Sequence, residues 1–540
     1  MPPPDVTLAI VNARVWTGNP RAPWATGVAI AGDRIASVGS SAEIAKLARG
    51  TSARVIDAHG GMLVPGFIDA HVHFLDAGFH LASVQLRDAK TPAEFIARIK
   101  AYAQTLPSGT WITGGDWDHQ QWGGELPTRN WIDSVTPNNP VWVARLDGHM
   151  ALANSAAIRA AGVTRSTPDV EGGTIVRGPD GEPRGIFKDN AVGLIGKAEP
   201  AQTAEMNDRA LRAAMEYVAA RGVTTVHNMG TFSDLAVFER AHHAGTMKIR
   251  IYAVTPLSEW EHLRDTVKAR GRGDEWLRIG GLKGFVDGSL GSHTAAMFAP
   301  FTDTPADSGF LVNTPDDLYR WTKGADQAGL QVMVHAIGDR AIDLQLSVFE
   351  RVARENGARD RRFRIEHAQH PRAVDIPRLA KDGVIASMQP YHAIDDGRWA
   401  EKVIGPVRAK TTYAFRSFRD AGARLAFGSD WYVAPPTPID GIYAAVTRRT
   451  LDDRNPNGWM PEQKITVEDA LRAYTVNAAY ASFDENIKGT ITRGKLADMV
   501  LIDRDLTAVP PETIRDAKIL MTIVGGKIVF EEGGKTAQLQ

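Results

Sequence analysis

Short apolar runs broken by Gly, Asp and Asn occupy both ends of the chain, while the middle alternates apolar runs with amphipathic stretches. At the N-terminal end, TLAIVNARVWTG, GVAIAGDRIASVG and ARVIDAHGGMLVPG read as β-strands divided by turns. KGTITRGKLADMVLIDRD and ILMTIVGGKIVFEEGG at the other end read as strand pairs with RG or GG turns. Two strand-rich ends around a different middle predict one small β-sandwich domain built from residues 1–66 and 484–540 together.

Between them, residues 67–483 carry the βαβ signature. Eight strand candidates appear: 63–74, 222–230, 249–256, 277–289, 331–339, 362–370, 384–390 and 424–430. Helical segments such as TAEMNDRALRAAMEYVAARG and DRAIDLQLSVFERVARENG lie between them. Eight strands with intervening helices predict an α/β fold of the (β/α)₈ TIM-barrel type. The long gap between the first and second strands predicts an insertion over about residues 75–220. It holds a strand-like VWVARLDG and a Gly-rich hairpin, GGTIVRGPDGEPRG, and grows from the first βα loop, where barrel active sites lie.

Composition narrows the function classes. Lys+Arg is 62 and Asp+Glu 63, a net charge of −1, which argues against a nucleic-acid partner. The chain has no cysteine, which removes disulfides, a Cys nucleophile and Cys-ligated metals. No apolar run reaches the length of a membrane span, and residues 1–16 do not have the pattern of a secretory leader, so a cytoplasmic location is expected. Neither a GxSxG elbow nor a P-loop is present.

The strand ends carry the candidate chemistry. His71 and His73 sit two apart at the end of the first strand, on one face, where two imidazoles can share a divalent ion. His335 and His367 end the fifth and sixth strands, and Asp430 ends the eighth. Their separations match one and two βα units, which places all three at the C-terminal face of the barrel. Lys283 lies among apolar residues of the fourth strand and must be desolvated, paired or modified. As a carboxylated lysine it would offer two anionic oxygens to two ions; the alternative is a pair with Asp287.

GFIDAHVHF, Lys283, VHAIGD, RIEHAQ and GSDW follow the order of the amidohydrolase superfamily. GHMALANSAAI, LKGFVDGSLGS, SMQPYH and LADMVLID resemble amidohydrolase family 3, which includes N-substituted formamide deformylases. The resemblance implies two zinc ions. His71, His73 and Asp430 would hold one, His335 and His367 the other, and carboxylated Lys283 would bridge them. It implies attack of metal-bound hydroxide on an amide-type C–N bond of a small-molecule substrate, with Asp430 moving the proton. Formamides, N-acyl compounds and carbamates are the expected substrates. An esterase or lactonase, or a non-catalytic binding protein on the same scaffold, are the alternatives. A homo-oligomer is compatible with the sequence.

Several further residues are candidates for substrate contact. His149 and Asn154 in DGHMALANSAA are either substrate contacts or turn and capping residues. Trp111, Trp117, Trp122, Trp131 and Trp142 either line an aromatic pocket, with Trp117 the foremost contact, or form the core of the insertion. His227 ends the second strand and faces the expected site, and His392 follows the seventh. His293 stands where the family resemblance leads one to expect arginine. Asp339 reads as a helix N-cap.

Overall fold

In the computed structural model, which describes residues 5–533, eight parallel strands form one continuous sheet. They are β1 (Phe67–Val72), β2 (Val223–Met229), β3 (Arg250–Pro256), β4 (Leu277–Phe285), β5 (Gln331–Ala336), β6 (Arg364–His367), β7 (Ile385–Met388) and β8 (Leu425–Phe427). Neighbours in sequence are neighbours in the sheet, and all seven pairings are parallel. Most of these strand residues are buried, because helices cover the outside while side chains fill the inside. The chain therefore has the α/β, (β/α)₈ barrel fold.

The barrel closes just beyond β8. Val72 bridges Trp431 in parallel register, His73 N donates to Trp431 O at 2.7 Å, and Asp430 N donates to His71 O at 2.7 Å. The first and last strands thus meet through the segments that carry His71, His73 and Asp430.

The apolar run at 63–74 splits in two. Met62–Pro65 pairs with Met499–Ile502 on one side and Arg14–Trp16 on the other. Gly66 then turns the chain into β1, lying so close to Thr224 that a Cβ would collide with its side chain. Met62–Pro65 belongs to a six-stranded sheet in which Arg14–Trp16 and Trp24–Ala25 join Met499–Ile502, Ile519–Val524 and Lys527–Glu531. A four-stranded sheet of Arg34–Gly39, Gly27–Ala31, Leu8–Val11 and Arg54–Asp57 accompanies it. Leu8, Ile10, Val28, Leu63, Met499 and Ile523 share one apolar core. The segment 488–505, read from sequence as a strand pair, contributes the single strand Met499–Ile502. Gly525 and Gly526, both at positive φ, make the tight turn between the last two strands. Residues 1–4 and 534–540 of the two terminal ranges lie outside the described residues.

The insertion has its own four-stranded antiparallel sheet, in the order Trp142–Ala144, Met150–Ala153, Pro183–Asp189, Gly173–Arg177. Among the described residues no helix is long and apolar enough to cross a membrane.

A buried ion pair clamps the six-stranded sheet to the barrel. Arg250, at the start of β3, donates to both carboxylate oxygens of Asp498, at 2.7 and 3.0 Å, and Asp498 also accepts Gly525 N at 2.8 Å. Both side chains are nearly inaccessible. Asp498→Ala leaves a buried arginine uncompensated and should cost about 3–5 kcal/mol in urea unfolding. A loss below about 1 kcal/mol would show that the clamp is dispensable.

Candidate functional site

The C-terminal strand ends bring the histidines together. The ring centroids of His71 and His73 lie 5.8 Å apart, those of His71 and His367 4.9 Å, and those of His335 and His367 4.5 Å. One ligand atom from each of His71, His367 and Asp430 lies within 4.8 Å of the others. His71 Nε2 and His73 Nε2 each stand 3.4 Å from Asp430 Oδ1. His367 adopts φ +71° and Asp430 φ +60°. Left-handed backbone at non-glycine residues is uncommon and costs about 1–2 kcal/mol per residue. It sits here at the ends of β6 and β8, where those two side chains meet, as stored strain at a functional site does.

Burial dominates the electrostatics. His71, His335 and His367 are held well below the usual imidazole range, first by desolvation; Lys283 adds to this for His71, His149 for His335, and His335 for His367. Neutral imidazole is the form that can ligate an ion. Burial would raise the Asp430 carboxyl, but the imidazoles of His71 and His73 outweigh it and hold the group below the usual carboxylate range. Burial pulls Lys283 down to about 8, against the opposing pull of Glu366 and Asp430. Lys283 Nζ lies 3.2 Å from His71 Nε2. It does not pair with Asp287, whose carboxylate instead accepts backbone N–H groups from Ala296, Ile337 and Gly338 at 2.8–3.0 Å.

Hydrogen bonds occupy one ring nitrogen of His367 and one of His335. His367 Nδ1 meets Gln389 Oε1 at 2.8 Å. His335 Nε2 donates to Gly288 O at 3.0 Å. Asp430 Oδ1 is buried and has no hydrogen-bond donor among the described residues. A carboxylate oxygen with no such donor, facing imidazole nitrogens of His71 and His73, is a donor set that fits a divalent cation.

A cleft of about 550 Å³, counted to its mouth, opens over this cluster. His149 lines it and packs 4.9 Å from His335, with Nδ1 2.6 Å from Asp189 Oδ1. Burial alone would lower the His149 imidazole, and the hydrogen bond to Asp189 raises it above the usual value. His392 also lines the cleft, and its buried Nε2 has no partner among the described residues.

Other expected contacts lie elsewhere. Trp117 is fully buried in the insertion, packed edge-on against Phe95, with its indole N–H bonded to Val143 O at 2.8 Å. Trp122 and Trp131 pack against that core, while Trp142 and Trp111 belong to a second apolar cluster of the insertion. His227 is enclosed inside the barrel, where Arg364 Nη1 donates to its Nδ1 at 3.0 Å, so it does not reach the cleft. His293 turns away to Asp303, 3.0 Å from its Nε2, and packs against Phe301. Asn154 caps the helix Ser155–Ala160 by accepting from Ala157 N at 2.9 Å. Asp339 is the first helical residue rather than the cap, which is Gly338.

Sequence reading passed over Asp69, Arg364 and Glu366. Asp69 lies under the site, accepting from the Ser429 side chain and backbone at 2.5 and 2.8 Å. Glu366 meets His71 Nδ1 at 2.5 Å and is paired with Arg364. The signal was the one that singled out Lys283, charged residues inside apolar strands.

The chain matches the model of the "Amidohydrolase family" over residues 54–530. It is 40% identical over 538 residues to "Protein LONG AFTER FAR-RED 3" of Arabidopsis thaliana, covering 97% of this chain and 91% of that one. It is 30% identical to "N-substituted formamide deformylase" of Arthrobacter pascens, over 98% and 99% of the two chains. Among solved structures, an uncharacterized metal-dependent hydrolase from Pyrococcus horikoshii OT3 superposes with a TM-score of 0.75 at 28% identity, covering 93% of this chain and 99% of that one.

Two substitutions test these placements. His71→Ala should lower bound zinc, measured by elemental analysis after reconstitution, without unfolding the barrel; full zinc content would remove His71 from the ligand set. Trp117→Ala should cost about 3–5 kcal/mol of stability in urea, as a core truncation does. Unchanged stability with weakened substrate binding would return Trp117 to the pocket.

Proposed function

From the premise that this chain belongs to the amidohydrolase family and is a hydrolase, we propose that it cleaves an amide-type C–N bond of a small molecule. N-substituted formamides, N-acyl amines and carbamates are the substrate class. The observation that carries this reading is Asp430, a buried carboxylate with one oxygen lacking a hydrogen-bond donor among the described residues and two imidazole nitrogens 3.4 Å away. A buried polar group left unsatisfied costs about 1–3 kcal/mol, and more when charged. A cation in that position would remove the cost.

His71, His73 and Asp430 would hold one divalent ion, and His335 and His367 a second. Lys283 would serve both as a carboxylated side chain, and its lowered pKa supports this, because the neutral amine is the form that adds carbon dioxide. When bound, such ions supply Lewis acidity toward a carbonyl oxygen and lower the pKa of water toward about 7.

The remaining chemistry belongs to the chain. Asp430 takes the proton of the attacking water and returns it to the leaving nitrogen, which needs an ionised carboxylate at the start. His149, fixed by Asp189, orients the substrate carbonyl. Leu290, Ile337, Trp399 and Val433 give the cleft apolar wall for an N-substituent. The deformylase relative, similar over nearly its whole length, supports the bond type.

A panel of formamides, N-acyl amines, carbamates and esters tests the reading with the zinc-loaded protein. Amine release from an amide-type member is expected; cleavage of esters alone would overturn it. Asp430→Asn keeps the shape and removes the base. It should lower kcat by at least about 10²-fold at matched metal occupancy. A rate within threefold of wild type would place proton transfer elsewhere.

A further inference from the structure

Beneath the metal-site face, one buried arginine ties four barrel strands together. Arg364, on β6, donates to Glu366 Oε1 at 2.7 Å and Oε2 at 3.1 Å. It also reaches Ala70 O of β1 at 2.6 Å, Ser387 Oγ of β7 at 2.9 Å and His227 Nδ1 of β2 at 3.0 Å. Arg364 and Glu366 are both completely buried. The second oxygen of Glu366 faces His71 Nδ1 at 2.5 Å, while His71 Nε2 faces Lys283 and Asp430.

A neutral imidazole carries one proton, on one nitrogen or the other. A carboxylate acceptor against Nδ1 puts the proton there and leaves the Nε2 lone pair directed at the cluster. Without it, Asp430 Oδ1, 3.4 Å from Nε2, offers an acceptor to the opposite tautomer, which would present an N–H to the place a cation should take. The ion pair with Arg364 stops the carboxylate from swinging away, and the bond from Arg364 to Ala70 O fixes the backbone one residue before His71.

We propose that Glu366, braced by Arg364, is a positioning residue that keeps His71 Nε2 open for an ion and thereby sets the affinity of the site. The proposal rests on the metal-centre reading above. A plain structural role for the pair would leave ion affinity unchanged once the fold is kept.

Two readouts test it. Nitrogen-15 spectra of selectively labelled histidine, in the metal-free full chain, with His71→Ala to assign the signal, report the tautomer. Wild-type His71 should carry its proton on Nδ1; a proton on Nε2 overturns the proposal whether or not any ion binds. The second readout is zinc affinity by chelator competition. Replacing a buried ion pair by apolar residues of similar size is less disruptive than removing one partner alone, so Arg364→Met is combined with Glu366→Leu. Zinc should then bind about 10–100-fold more weakly, the usual effect of losing the partner of a ligating histidine. Arg364→Met with Glu366→Gln, which restores an acceptor, should recover part of that loss. Folded variants that all bind zinc within threefold of wild type overturn the proposal. A wild-type chain that binds no zinc overturns the metal-centre reading, and the tautomer readout still decides the role of Glu366.

Discussion

The meeting of β1 with the segment after β8 is the constraint on which the site depends. A (β/α)₈ barrel is complete only when its first and last strands find each other across the length of the chain. Here two backbone hydrogen bonds at that seam, Asp430 N to His71 O and His73 N to Trp431 O, run between candidate ligand segments. Closing the barrel and assembling the site are therefore one event. The insertion supports the seam from above: Arg87 donates to Val433 O at 2.6 Å and to Tyr432 O, and also contacts Asp116.

The second constraint is the burial of charge. His71, Glu366 and Arg364 are fully buried, and Lys283, His335, His367 and Asp430 are nearly so. In a low-dielectric interior such groups persist only when neutral, paired or bound to a cation. The first two routes account for most of these groups. Burial favours the neutral form of the His71, His335 and His367 imidazoles, Arg364 and Glu366 neutralise each other, and Asp430 keeps one oxygen without a hydrogen-bond donor among the described residues. The proton preferences of the site thus follow from the packing around it as much as from the residues themselves.

The family relationship agrees with this physical picture without completing it. The Arabidopsis and Arthrobacter relatives share nearly the full length of the chain, and the Pyrococcus structure shares the architecture. Residues outside the strands also line the cleft. There Asp147 is fixed by Arg145 at 2.5 Å and by the side chains of Ser289 and Ser292. Such loop residues are set by the scaffold yet free to vary in side chain.

The barrel was legible in the sequence because strand and helix periodicities are local, and eight apolar runs at βα spacing admit few other architectures. The strand-end placement of His71, His73, His335, His367 and Asp430 was legible for the same reason, since strand number and position fix the face on which a residue emerges. Other properties were decided only by tertiary packing. Trp117 and His227 had the right residue types in plausible places, but burial and hydrogen bonding depend on neighbours distant in sequence, here Val143 and Arg364. The split of the run at 63–74 depended on Met499–Ile502 arriving more than 430 residues later to pair with its first half. Glu366 acquired its place beside His71 across a gap of 295 residues. Local pattern determines which elements form and which way their side chains alternate; only the folded barrel decides which of those side chains share a dry space, and with it which proton each one keeps.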